Sequence, residues 1–257
     1  MIFYFSGAGN SRWAAETISV ALGDTLCTIG DKVLKGDTID IKDGERIGIV
    51  CPVHGWMPPM IVRKFVSLLH AKGKHYCFCV MTAGDSIGEA MHILKNDMEM
   101  VGLTLDAAFT LIMPESYVCL PFFYTDKPLK EQCKIERATR DLIQYIEDIK
   151  KEKSVKHLKK GFFPIILTYV LGIPFNRMLI TDKPFRVDTE RCLHCGLCAK
   201  VCPVGNIVMR SDSTPMWKRC GLCTNCMACY HHCPAHAINH WTTKNKGQYT
   251  FKNNKPK

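Results

Sequence analysis

The stretches CLHCGLCAKVCP at residues 192–203 and CTNCMACYHHCP at 223–234 carry one spacing twice, C-x2-C-x2-C-x3-C-P, at an offset of 31 residues. Ile207 and Ile238 extend the repeat. Nine of the chain's 15 cysteines lie between 192 and 233, and Cys220 is the one that the repeat leaves over. A register starting at Cys220 would need a cysteine where Tyr230 stands. Thiolates hold 4Fe-4S clusters four at a time, so Cys192, Cys195, Cys198, Cys202, Cys223, Cys226, Cys229 and Cys233 read as the ligands of two clusters. Zinc also uses C-x2-C pairs, but four ligands would satisfy it, and it leaves the doubled spacing and the two prolines without a reason. A disulfide framework is not expected either: the chain opens on no secretory leader pattern, so free thiols in a reducing, cytoplasmic setting are the expectation.

Upstream, Met1–Phe5 is a short apolar run of strand character that leads into Ser6-Gly7-Ala8-Gly9-Asn10-Ser11. Trp13, Thr17, Val20 and Ala21 then fall at helical spacing up to Gly23. Strand, small-residue loop and helix start form a layout that binds phosphate, because uncapped N–H groups and the helix dipole meet the anion there. A dinucleotide fingerprint would need glycine at Arg12, and a P-loop would need G-K-[ST]; neither is present. Further strands are expected at 24–29, 45–51, 74–82 and 103–113. Helices are expected at 58–70, 87–101 and 129–151. This alternation predicts an α/β fold, a doubly wound five-stranded parallel sheet whose ligands sit past the carboxyl ends of its strands.

The loop from Ser6 to Ser11 resembles the phosphate loop of flavodoxins, S/T-x-T-G-N-[ST], with Ala8 in place of the usual threonine. The resemblance implies an FMN phosphate on Ser6, Gly7, Ala8, Gly9, Asn10 and Ser11. It also implies a flavin ring near His54, Gly55 and Trp56 on one loop and Thr82, Ala83, Gly84 and Asp85 on another. Trp56 would stack on the ring, and Tyr117 is a further aromatic candidate at that edge. The cysteine block resembles a bacterial two-cluster ferredoxin, a small α+β domain in which the fourth cysteine of each run serves the other cluster. That crossed scheme implies Cys192, Cys195, Cys198 and Cys233 around one cluster, and Cys223, Cys226, Cys229 and Cys202 around the second. Taken whole, the chain resembles flavodoxin–ferredoxin fusion electron-transfer flavoproteins.

The expected layout is a flavodoxin-like FMN-binding domain at 1–152, an apolar connecting segment at 153–182, the two-cluster ferredoxin domain at 183–243 and a basic tail at 244–257. Gly161–Asn176 is uncharged and apolar but too short, and too broken by Pro164, Gly172 and Pro174, for a membrane span. A packed inter-domain segment is expected there, with a shallow interfacial membrane helix beside the basic run 150–160 as the other option. The net charge of +10 does not call for nucleic acid. Two oxidised clusters add about −2 each and a flavin phosphate about −2 more, and much of the excess lies in 150–160 and 244–257, read as solvated linker and disordered end.

The implied function is electron transfer between two 4Fe-4S clusters and FMN for a partner redox enzyme, with no catalytic residue assigned. Flavin carries two electrons and each cluster one, so the pair joins two-electron to one-electron traffic. The alternatives are an FMN-dependent reductase of a small organic substrate, with His54, Asp85 and Tyr117 as the available acids, and a redox sensor binding its partner through the basic linker and tail.

Overall fold

The computed structural model describes residues 1–36 and 38–251. Short apolar runs alternate with helices through the first 157 residues. They form β1 (Ile2–Tyr4), α1 (Asn10–Leu22), β2 (Leu26–Thr28), α2 (Ile29–Lys35), β3 (Ile39–Ile41) and β4 (Ile47–Pro52). There follow α3 (Met60–Val66), β5 (Leu69–Ala71), β6 (Cys77–Ala83), α4 (Ala90–Glu99), β7 (Ala107–Ile112), α5 (Pro128–Lys150) and β8 (Lys156–His157). The main sheet runs β2-β1-β4-β6-β7-β8, parallel throughout. Without β8 this is the doubly wound order in which the chain reverses direction beside its first strand.

Both faces of the sheet are buried, which is why its central strands are apolar at consecutive positions. Phe3, Ile49, Cys79 and Met81 pack under α3 and α4, while Ile2, Val50, Phe78 and Val80 pack under α1 and α5. Leu142, Ile146 and Ile149 recur at helical spacing on the buried stripe of α5, and Tyr145 stacks on Phe109 at 4.5 Å. Each such side chain contributes roughly 1.5–3 kcal/mol by leaving water.

The sheet has six strands where five are expected. The added strand, β8, is two residues in a lysine-rich run that pair with Ala108 and Phe109, too short to leave a periodic signal. The helix expected over 58–70 stops at Val66, because Leu69–Ala71 pairs in parallel with Ile39–Ile41 as a separate two-stranded ribbon.

The C-terminal part contains β9 (Phe185–Val187), α7 (Leu197–Lys200), β10 (Ile207–Met209), β11 (Pro215–Trp217), α8 (Ala228–His231) and β12 (Ile238–His240). β9 pairs antiparallel with β12, and β10 with β11. The sequence repeat returns in the backbone: left-handed residues stand at His194 and Asn225, at Gly196 and Met227, and at Gly205 and His236, each pair 31 apart. Phe185, Ile207, Trp217, Tyr230 and Ile238 form a small core that Val118 and Cys119 of the first part complete.

Two connecting stretches differ from expectation. Residues 246–251 are held against the protein instead of forming a free basic end: Lys246 donates to the carbonyls of Val118 and Leu120, Tyr249 is buried, and Phe251 lies 5.0 Å from Trp13. Burial of Tyr249 and the packing of Phe251 on Trp13 oppose the local charge; the rest of the expected tail, 252–257, lies outside the described residues. Residues 166–172 are π-helical and continue into α6 (Ile173–Met178), yet Phe162, Phe163, Ile165 and Val170 are exposed rather than packed. Among the described residues no helix is long and apolar enough to cross a membrane.

The two parts meet backbone to side-chain-free backbone at Gly30 of α2, where a Cβ would collide with the carbonyl oxygen of Pro203. Gly30→Ala is therefore expected to lower stability by about 1–3 kcal/mol despite the better helix propensity of alanine. Urea unfolding checks this, and an unchanged or raised midpoint would show that the contact carries no weight.

Candidate metal centres and the sheet edge

The repeated cysteines gather into two cavities. Cys192, Cys195, Cys198 and Cys233 line the first, together with Pro234 and Ile238, around about 340 Å³ of empty space that includes open solvent. Cys202, Cys223, Cys226 and Cys229 line the second, of about 300 Å³ on the same measure, with Pro203 and Ile207. In each, three cysteines come from one run and the fourth from the other. Two devices of the repeat produce this. The left-handed residue before α7 and α8 turns the third cysteine inward, and the loop after each fourth cysteine folds back so that the N–H of Asn206 donates to Cys202 Sγ and that of Ala237 to Cys233 Sγ, both at 3.3 Å.

Burial pushes the thiols of Cys198 and Cys226 up to about 11, and those of Cys223 and Cys229 also upward. A bare thiolate is therefore disfavoured at these positions, and a bound cation is what would restore it. Thr224 Oγ1 is buried without a hydrogen-bond partner and belongs to a residue lining the second cavity. Four sulfur donors around a cavity, with an unused hydroxyl beside one of them, fit an iron–sulfur cluster in each.

Asn206 has no part in the sequence reading. It is buried, donates Nδ2 to Asp182 at 2.8 Å, accepts the Cys220 thiol on Oδ1 at 3.2 Å and offers its N–H to Cys202. Its position four residues after Cys202 was the available signal. Cys220 itself is exposed and lines neither cavity.

The residues expected around a flavin come together at the carboxyl ends of β1, β4 and β6, which are neighbours in the sheet. Gly9 caps α1 in a left-handed conformation, and no side chain bonds to the helix start. The side chains of the loop are spent within the protein, against the expectation that they point to a phosphate. Asn10 donates to the Pro114 carbonyl at 3.0 Å and accepts from Tyr249 at 2.6 Å, and Ser11 pairs with Thr82 at 2.7 Å. Ser6 Oγ accepts the N–H of Gly9, and the Ala8 carbonyl accepts that of Phe251. A Cβ at Gly7 would strike the Cys226 carbonyl, so this loop touches the second cavity's wall.

His54 is half-buried at the same seam, with Thr224 backbone as its partner and the Phe5 ring 6.3 Å away, and desolvation lowers its pKa to about 4. Gly55 lies under Phe175, and Trp56 packs on Gly88 while its carbonyl accepts Thr168. Ala83 bonds Met113, Gly84 is bonded by Lys134 and overlain by Glu115, and Asp85 is exposed. Tyr117 lies between the rings of Phe123 and Phe175. Glu115 and Tyr249 were not anticipated at this edge.

A family model described as "4Fe-4S binding domain" matches residues 185–208. An uncharacterized ferredoxin of Methanocaldococcus jannaschii is 35% identical over 71 residues, which are 27% of this chain and 92% of that protein. The chain belongs to the ferredoxins. The likeness lies in its C-terminal part, which accordingly has an iron–sulfur electron-transfer role. Two solved structures are similar at lower scores. The Flv1 flavodiiron core of Synechocystis sp. PCC6803 has a TM-score of 0.32 and 19% identity, over 58% of this chain and 36% of that one. The Trp repressor binding protein of Bacillus subtilis has a TM-score of 0.33 and 12% identity, over 55% and 97%. The chain thus spans about a third of the flavodiiron core.

The cavities pair cysteines across the two runs of the ferredoxin part. Cys192→Ser and Cys233→Ser are expected each to lower iron content by about half, with no further loss in the double variant. Cys192→Ser combined with Cys226→Ser should remove nearly all of it. Iron assay after anaerobic reconstitution decides, and additive loss in the first pair would separate those two ligands.

The half-buried His54 also sets a pH dependence. Its folded pKa of about 4 lies below the usual 6.5, so the unfolded chain takes up the proton first as pH falls. Stability is unaffected above pH 6.5 and declines between 6.5 and 4, by about 1 kcal/mol at pH 5.5. Denaturant midpoints at pH 7.5 and 5.5 should therefore differ less in His54→Gln than in the parent chain.

Proposed function

We propose that the chain moves electrons between two 4Fe-4S clusters and an FMN on behalf of a partner redox enzyme. The observation that carries this reading is the contact of Gly7 with Cys226, which sets a phosphate-loop-like turn against the wall of a four-cysteine cavity. Clusters supply one-electron steps and a flavin a two-electron store, and the protein's part is to set their separation and surroundings.

The crossed cysteine sets would hold the clusters. The N–H groups of Asn206 and Ala237 lower the charge density on Cys202 and Cys233 and favour the reduced state of the attached centre. At the sheet edge, FMN would depend on the start of α1, where no side chain bonds, and on the loop N–H groups other than that of Gly9, which Ser6 Oγ takes, because Asn10 and Ser11 are committed elsewhere and Ala8 offers no hydroxyl. Such a site holds phosphate through main chain. The reductase alternative is served less well: His54 is desolvated and neutral, Tyr117 is pushed far upward by burial, and Asp85 is exposed.

Anaerobically purified protein should contain about eight iron, eight sulfide and one FMN per chain. Stepwise reduction followed by visible absorption should show flavin and clusters exchanging electrons. Full iron without flavin, after incubation with FMN, would reduce the proposal to a two-cluster carrier, and half the iron would remove the second cluster.

A further inference from the structure

The segment that joins the two parts is amphipathic the wrong way round. Its grip on the protein is polar and recurs every four residues: Thr168 accepts the Glu89 N–H at 2.8 Å, Gly172 lies against the Gly55 carbonyl, and Asn176 donates to the carbonyls of His54 and Gly55. Its apolar side chains face outward. Phe162 is 89% exposed, Phe163 73%, Ile165 64% and Val170 60%. Phe163 holds a left-handed backbone, an unfavourable state for a bulky residue. The loop carrying Phe122 joins this face, since Tyr117 bridges Phe123 to Phe175 of α6 with ring centroids 5.9 and 5.7 Å apart, and Phe122 is itself 89% exposed and left-handed.

The flanks are cationic. Lys151, Lys156 and Lys159 precede the segment and Arg177, Lys183 and Arg186 follow its apolar run, all exposed. Between residues 150 and 186 the acidic residues are Glu152 and Asp182, and Asp182 is buried, accepting bonds from Asn206 and Arg219. A protein partner's apolar groove would be served by the aromatic residues alone. The excess of cations beside them matches a surface that is apolar within and anionic at its rim.

We propose that this face seats the protein on an anionic lipid bilayer, with Phe162, Phe163, Ile165 and Val170 entering the headgroup boundary and the flanking cations lying among the lipid phosphates. The length of the apolar run allows seating on the surface and not crossing. The two cysteine cavities would thereby be held beside the membrane. The proposal stands independently of whether FMN is bound.

The test is flotation of the full, cluster-loaded chain with vesicles of phosphatidylglycerol and phosphatidylcholine in equal parts, against vesicles of phosphatidylcholine alone. Binding to the anionic vesicles should exceed the neutral ones by at least about tenfold and weaken as salt is raised. Phe162→Ser with Phe163→Ser should lower it by at least about tenfold while the visible absorption of the clusters is kept. Ile165→Ser with Val170→Ser serves as a second pair should the first fail to fold. Lys156→Glu with Lys159→Glu should reduce binding to anionic vesicles only. Equal binding to both vesicles, no binding, or indifference to both apolar pairs overturns the proposal. So does self-association abolished by the same variants, which would make a second copy the occupant.

Discussion

Two backbone oxygens pressed against two glycines govern how the molecule is assembled. The carbonyl of Cys226 lies where a side chain at position 7 would be, and that of Pro203 where one at position 30 would be. Both belong to residues lining the second cysteine cavity. Main chain can approach main chain this closely only where Cβ is missing. Around these points Val204, Leu222 and Cys226 join the apolar cluster that contains Ile29 and Val33, so the ferredoxin part shares its base with the sheet rather than hanging from a linker. A cavity fixed against the carboxyl edge of the sheet is the precondition for any electron passing between that edge and a cluster.

Much of this could be read beforehand where the determinant is local. Ligand spacing is local: four cysteines and a proline within twelve residues carry the 4Fe-4S reading, and the same spacing recurs 31 residues later. The three long strands β4, β6 and β7 are also legible, because strands buried on both faces read as continuous apolar runs such as residues 47–51 and 77–81. What escaped is short or depends on a distant partner. Lys156–His157 is a strand only because Ala108 and Phe109 lie beside it, and Leu69–Ala71 leaves its expected helix because Ile39–Ile41 offers a ladder. No window of sequence contains both halves of either pair.

The sheet edge shows the same limit in the site. Loop residues were assigned by type, and residues 6–11, 54–56 and 82–85 lie at the ends of neighbouring strands. Type could not give their direction. Asn10 is taken by Tyr249, 239 residues away, and His54 turns to the ferredoxin part. The connecting segment was expected to bury its apolar residues because apolar residues usually are buried, whereas Thr168 and Asn176 make its contacts.

Joining the two parts in one chain does more here than hold them near each other. Tethering alone raises effective concentration and leaves geometry free. Residues 246–251 add geometry. The Lys246 ammonium is capped by the carbonyls of Val118 and Leu120 and sits 5.0 Å from the Tyr124 ring, Tyr230 of α8 donates to carbonyls of the same strap, and Tyr249 and Phe251 bond the loop before α1. One strap therefore ties the helix behind the cysteine cavities to the turn on which a phosphate would rest. A buried ammonium held by two carbonyls and an aromatic ring keeps its place because its departure would leave those carbonyls without a donor. The spacing of the cavities and the sheet edge, on which any electron transfer between them would depend, thus rests also on residues 246–251, outside the cysteine repeat and the loop before α1.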